Sequence, residues 1–316
     1  MGNLQIKENV KGYAPSNTEM NNAIAFWLFV LCGMIFLMVI VGGLTRLTHS
    51  GLSMVNWRPV TGWLPPISVD EWKNAFGLYK NTPEYNLKNY GMSLEEFKSI
   101  FWLEFIHRLW GRIIGVVFVI PFIYFLIKGW IGRKLIYQLI AIFLMGAFQG
   151  FLGWYMVKSG LIEDPDVSQY RLTVHLVVAI AIYGYMFWVA LSLRSAMINS
   201  LRVVPISLLC GTVLVLILII LTIISGGFVA GLDAGLTYNT FPLMDGEIVP
   251  DGLWSKSPWY LNLFENITTV QFDHRILAKI TFLTVIVVWW NSRNSYISPA
   301  SRYAFQLLLI MVLVQF

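Results

Sequence analysis

Four side chains recur in one spacing: Glu104, His107, Arg108 and Arg112 return in the second half as Gln271, His274, Arg275 and Lys279, each set opening an apolar stretch. Only four histidines occur in the 316 residues, and two of them hold this slot. An imidazole inside an apolar segment is costly unless it is paired, hydrogen-bonded or metal-bound, so it marks a site. A third histidine, His175, lies in another apolar stretch of the first half. His107 and His175 fall near the outer ends of spans that run in opposite directions. Two imidazoles at one depth can ligate one haem iron axially.

The neighbours of these histidines suit a flat, acidic ligand. Gly111 and Gly115 follow His107 at i+4 and i+8 on the same helix face, where no side chain would block a macrocycle; close helix packing uses the same pattern. In the second copy Ala278 keeps the first position small and Phe282 replaces the second glycine. Arg108, Arg112, Arg275 and Lys279 supply cations that can pair with haem propionates, although Arg108 and Arg275 would also snorkel to headgroups. Glu104 against Gln271 is the informative asymmetry. A carboxylate near a haem can accept protons or stabilise a cation, whereas an amide only hydrogen-bonds, so the first copy is expected to do chemistry and the second to hold a helper cofactor. An interfacial glutamate in water is the plainer alternative. The fourth histidine, His49, falls in a loop near the bilayer.

These side chains need a membrane to position them. Hydrophobic residues make up 57% of the chain, charged residues 12%, and the mean hydropathy is +0.66, more apolar than a soluble domain can bury. Apolar runs of about 20 residues, the length that crosses a bilayer, lie at 24–44, 102–127, 134–157, 171–193, 204–230 and 270–290, with a seventh starting near 302. The short loops 128–134, 194–204 and 291–302 carry Lys128, Arg133, Lys134, Arg194, Arg202, Arg293 and Arg302 and no acid, which places them on the cytoplasmic or matrix side. The acid-bearing loops, 158–171 with Glu163, Asp164 and Asp166, and 231–269, belong outside. The net charge of +5 is thus a topology signal, and no basic patch with interleaved aromatics supports nucleic-acid binding. Lys7, Glu8 and Lys11 in an Arg-free N-terminus resemble neither a secretory signal nor a presequence, which favours a bacterial inner (plasma) membrane with the N-terminus inside. Cys32 and Cys210 read as small fillers of the core without metal-site spacing.

A second echo marks a duplication. Gly42, Gly43, Gly51, Leu52 and Ser53 return in the same spacing as Gly226, Gly227, Gly235, Leu236 and Thr237, and Tyr137, Met145 and Gln149 return as Tyr303, Met311 and Gln315. The expected architecture is an all-α membrane protein of two tandem four-helix bundles, with eight spans of which the seventh is cut short and the eighth is absent here. The organisation is a cytoplasmic segment 1–23, a first repeat 24–200 with outer loop 45–101, and an incomplete second repeat 201–316 with outer loop 231–269. A counterpart of His175 would fall near position 342. Short amphipathic helices are expected in the outer loop at 68–80 and 93–101, with Trp57, Trp63, Pro65 and Pro66 at the headgroup level.

The run Gly42-Gly43-Leu44-Thr45-Arg46-Leu47-Thr48-His49-Ser50-Gly51-Leu52-Ser53, with Trp57, Pro59, Gly62, Pro65 and Pro66, then Glu104, His107 and Arg108, then Phe272, Asp273, His274 and Arg275, resembles the haem A synthase family over residues 20–316. The resemblance implies an eight-helix bundle that oxidises the C8 methyl of haem O to a formyl group, giving haem A for cytochrome oxidase. It implies that His107 and His175 face the substrate haem iron, with Glu104 as the essential acid, and that His274 and a second-half partner ligate a haem b cofactor. The outer loops lack the cysteine pairs of some bacterial members, as in the mitochondrial and alphaproteobacterial subgroup.

Two other functions use the same ligands. A di-haem b-type electron carrier linked to quinol needs the axial histidines but gives no reason for Glu104 against Gln271, and a haem transporter needs a polar path that the inner halves of the spans lack. The partners implied are haem O, the haem O synthase that supplies it, an electron acceptor or donor, the lipid bilayer and a second copy of the chain. Nucleic acid is excluded.

Overall fold

The computed structural model describes residues 16–57, 61–160, 167–195 and 204–315. The expectations that rest on Lys7, Glu8, Lys11, Pro59, Glu163, Asp164, Asp166 and Arg202 fall outside the described residues. Ser16 starts the first helix, α1 (Asn17–Leu47), by a reciprocal cap in which its hydroxyl accepts from the Glu19 N–H and its own N–H donates to the Glu19 carboxylate, satisfying two donors that a helix end leaves free. Ser68 and Ser93 start α2 (Val69–Tyr79) and α4 (Leu94–Ile127) in the same way, with α3 (Pro83–Leu87) between them. Next come α5 (Arg133–Gly160), α6 (Gln169–Ser195), α7 (Ile206–Gly231), α8 (Asn262–Glu265), α9 (Ile267–Arg293) and α10 (Pro299–Gln315). The described residues form helices and no strand beyond one bridge between Met244 and Glu247.

Five helices, α1, α4, α5, α6 and α7, are long and apolar enough to cross a bilayer. Two of the expected spans fall outside this group. The 27-residue α9 is equally long, but Asp273, His274, Arg275 and Lys279 crowd its outer half, and α10 has only 17 residues. The outer loop also differs from expectation. The amphipathic segment at 68–80 is α2, but 93–101 is no separate helix; it is the first part of the 34-residue α4, which at about 1.5 Å per residue overshoots the membrane. There Phe97 stacks on Phe76 at 5.0 Å and Phe101 meets Trp72 edge-on at 5.0 Å, so the aromatic face of α2 is roofed by α4 instead of by lipid.

The first four long helices close a ring. α1 packs on α4 and α6, α6 packs on α5, and α4 touches α5 only lightly. Indole donors tie α1 to α4: Trp27 Nε1 donates to the Val117 carbonyl at 2.7 Å and Trp110 Nε1 to that of Met34 at 2.9 Å. The sealed core of the ring gathers at one end, where Ile24, Leu28 and Leu31 of α1 meet Phe118 and Phe125 of α4, Leu139 of α5 and Val189 of α6. Beyond the ring, α7 packs on α6 and α9, and α9 on α10. Cys32 is buried in this core, as a filler should be, whereas Cys210 lies exposed on α7 and is no core filler.

Candidate functional site

Burial along the helices sets off one layer of the molecule. Between Phe105 and Phe118 of α4 no residue is fully buried; the same holds from 143 to 158 of α5, from 174 to 181 of α6 and from 272 to 280 of α9. His107, His175 and His274 all fall in these stretches. Cores pack to crystal-like density, so this half-buried layer, between the sealed core at one end and the aromatic roof at the other, is where the described helices pack least closely. α4 and α6 stand diagonally across the first ring, and His107 and His175 lie in the half-buried stretches of these two helices.

Each imidazole rests on a glycine of a neighbouring helix. A Cβ on Gly42 of α1 would come within 3.3 Å of His107 Nε2, one on Gly153 of α5 within 3.1 Å of His175 Cε1, and one on Gly226 of α7 within 3.1 Å of His274 Cε1. Gly42 and Gly226 are matched positions of the repeated glycine motif, so both halves use one device. Gly111 behaves differently from the expectation of a bare face: its Cβ would meet Met38 of α1 at 3.1 Å, which makes it a packing contact, whereas no atom lies within 4 Å of the Cβ positions of Gly115, Gly146 and Gly150. Gln149 Nε2 donates to the His175 carbonyl at 2.9 Å, and His175 Nδ1 is buried with no hydrogen-bond partner. Glycine cradles around three histidines and an orphaned ring nitrogen fit a bis-imidazole haem.

The cations beside the histidines divide by position. Arg108 donates to the Met54 carbonyl at 3.0 Å and the Asn56 carbonyl at 3.4 Å, while Arg275 donates to those of Tyr238 at 2.7 Å and Thr240 at 2.8 Å. Met54 and Asn56 match Tyr238 and Thr240 in the same register that pairs Gly42 with Gly226. Both guanidinium groups thus hold down the loop that follows the glycine helix, a role that loop folding alone reveals. Glu104 joins the first of these clamps: it is 2% exposed, accepts from Ser53 Oγ and the Met54 N–H at 2.7 Å each, and pairs with Arg108. Its counterpart Gln271 donates to the Tyr238 carbonyl at 2.9 Å. Glu104 is therefore no water-exposed interfacial acid. Arg112, one turn deeper, is half-buried beside Arg108, and Lys279 Nζ lies 5.8 Å from the Phe241 ring centre.

Sequence reasoning missed three parts of this assembly. The first is Ser225, whose hydroxyl lies 2.8 Å from His274 Nδ1; a serine one residue before Gly226 was the available signal. The second is the seam between halves, where Arg46 donates to the Ala230 carbonyl at 2.9 Å and pairs with Asp233 at 3.0 Å. His49, exposed with φ 50°, and Asp233, with φ 51°, end α1 and α7 in the same left-handed turn, so His49 serves as a loop terminus. The third is the outer cap, in which buried Tyr79 donates to Glu84 at 3.0 Å and accepts from Asn89 at 2.7 Å. Burial pushes the Tyr79 phenol up from its ordinary value, so it keeps the proton that Glu84 accepts.

Comparison with known proteins finds close relatives of the chain over most of its length. The sequence model of the COX15-CtaA family, described as cytochrome oxidase assembly protein, matches residues 25–316. "Heme A synthase" of Nitrosospira multiformis is 54% identical over 310 residues, covering 95% of this chain and 86% of the relative. "Heme A synthase" of Paramagnetospirillum magneticum is 49% identical over 293 residues, 91% of this chain and 82% of the relative. "Heme A synthase COX15" of Arabidopsis thaliana is 44% identical over 315 residues, 94% of this chain and 67% of the relative.

Proposed function

The chain belongs to the COX15-CtaA family of cytochrome oxidase assembly proteins and has haem A synthase function, and we propose that it acts by oxidising the C8 methyl group of haem O to a formyl group. Converting a methyl group and one water to a formyl group releases four protons and four electrons, so the site must take up protons and hand electrons to an acceptor. The observation that carries the reading is the half-buried layer that holds His107 and His175 on two helices standing diagonally in the ring, His107 on a glycine of α1 and His175 on one of α5.

In this reading residues 24–200 and 201–316 are tandem repeats, each built on a four-helix plan. The shared glycine cradles, the shared arginine clamps and the matching left-handed turns, all in one register along the glycine helix and its loop, support duplication. The plan calls for an eighth helix, the second-half counterpart of α6. His107 and His175 would hold the substrate haem, and His274 would hold a resident haem b, which would supply electron transfer when bound. Arg112 and Lys279 serve propionates, because Arg108 and Arg275 are engaged by loop carbonyls. The reaction takes place in a bacterial inner membrane, on the outer side, with haem O delivered by its synthase and with self-association of the chain allowed.

Glu104 is the acid of the first half. Three donors fix its carboxylate one helical turn from His107, so a charge developing at the substrate meets a dipole arrangement already in place. Gln271 supplies no charge at the matching point. Glu104→Gln keeps the size and the bonds from Ser53 and Met54 but removes the charge. Co-expressed with a haem O supplier, it should insert normally, retain haem b, and lose haem A formation by about 10²–10⁴-fold, the range for a positioned acid–base group, with haem O accumulating in the extracted pigment. Haem A at the parental rate would leave an electron carrier as the better reading.

A further inference from the structure

The two repeated histidines differ in how their rings are held. In the second half Ser225 Oγ donates to the Thr222 carbonyl at 2.9 Å and also lies 2.8 Å from His274 Nδ1. A hydroxyl has one proton to give; with that proton on the carbonyl, its lone pair receives the proton of Nδ1. His274 is thereby set in the tautomer that leaves Nε2 bare, the state a neutral imidazole needs to ligate a metal. In the register that pairs Gly226 with Gly42, the residue matching Ser225 is Val41, which has no hydroxyl. His107 turns its Nε2 edge toward α1, 3.3 Å from the Cβ position of Gly42, so that nitrogen faces the helix it packs on.

We propose that Ser225 is a positioning residue that pre-sets His274 as a permanent axial ligand, and that valine at position 41 leaves His107 free to turn, so the second half retains its haem and the first exchanges it. This rests on the haem reading of the two sites. The logic is thermodynamic: a ring already held in its ligating tautomer loses less freedom on binding, and a hydrogen bond to the distal nitrogen makes the ligand more basic. A synthase must release its product but keep its electron carrier. A serine at one copy and a valine at the other is enough to divide those tasks.

The test uses the full chain in lipid nanodiscs, stripped of pigment and titrated with iron protoporphyrin IX, in the parent, Ser225→Ala and Ser225→Thr. Loss of the partner should weaken the tight site by about 10–100-fold, the cost usual for an outer partner of a metal-bound histidine. The midpoint potential should rise, because a less basic ligand stabilises the ferric iron less; a tenfold change in the ferric to ferrous ratio corresponds to about 59 mV. Ser225→Thr, which keeps the hydroxyl, should restore both. Parental affinity and potential in Ser225→Ala would overturn the proposal, as would a fall in melting temperature with affinity and potential unmoved. A parent that binds no iron protoporphyrin IX would instead sink the haem reading on which the proposal stands.

Discussion

Arg108 and Arg275 show how a single residue can be legible in the sequence while its partners in the fold are not. Both follow a histidine, both carry the right charge for a propionate, and both turn to backbone carbonyls, at residues 54 and 56 in one half and 238 and 240 in the other. A guanidinium has five donors and can engage two carbonyls at once, and only the folded loop brings those carbonyls into reach. The histidines themselves were legible, because an imidazole in an apolar span has few reasons to be there. The different tasks proposed for them yield a prediction. His274→Ala should lower bound haem b, and His107→Ala and His175→Ala should chiefly abolish haem A formation, as read by pigment extraction and absorbance of the purified chains. Equal loss of haem b in all three would mean two equivalent electron-transfer haems.

At the scale of elements, the two halves are joined by α6 and α7, and glycine decides how closely. A Cβ on Gly231 would stand 2.5 Å from both Cα and Cβ of Gln169, and one on Gly227 would stand 2.7 Å from Thr173 Oγ1. Small residues four apart let membrane helices approach closely enough for dispersion to hold them where lipid offers no hydrophobic drive. The Gly226-Gly227 pair was visible in the sequence as half of an echo, but the pairing with α6 was not, because α6 contributes only Gln169 and Thr173 and neither has a pattern to read. Around this seam Tyr170 donates to Glu265 at 3.1 Å, and its ring meets Phe228 and Phe264. The two glycines should differ in tolerance. Gly231→Ala collides with main chain and must part the helices, costing about 1–3 kcal/mol as overpacking does, whereas Gly227→Ala meets only the Thr173 side chain, its Oγ1 at 2.7 Å and its Cβ and Cγ2 at 3.1 Å, and needs a smaller shift. Thermal unfolding in detergent should show the larger drop for Gly231→Ala; equal melting temperatures would mean that the seam is looser than its geometry.

For the whole molecule, the apolar surface marks the part that lipid covers. Large apolar side chains such as Phe36, Ile120, Leu144 and Val287 stand outward on four different long helices, a surface that only lipid covers comfortably. Hydropathy alone made this belt legible, while α9 shows where that signal weakens: the residues that make it functional also make it polar. We propose that the cations of the short loops mark the inner face and the acids of the long loops the outer one. In that orientation the histidine layer, near the ends of α1 and α7 that lead into those long loops, would lie toward the outer face. Single cysteines at Ser68, the cap of α2, and at Ser255, in the second long loop, should therefore react with an impermeant maleimide added outside intact cells. The background must carry serine at Cys32 and Cys210, since Cys210 is exposed on α7 and would label on its own. Reaction at both positions only after the inner face is opened would invert the topology and move the chemistry to the cytoplasmic side, where the positive loops would then have no reason for their charge.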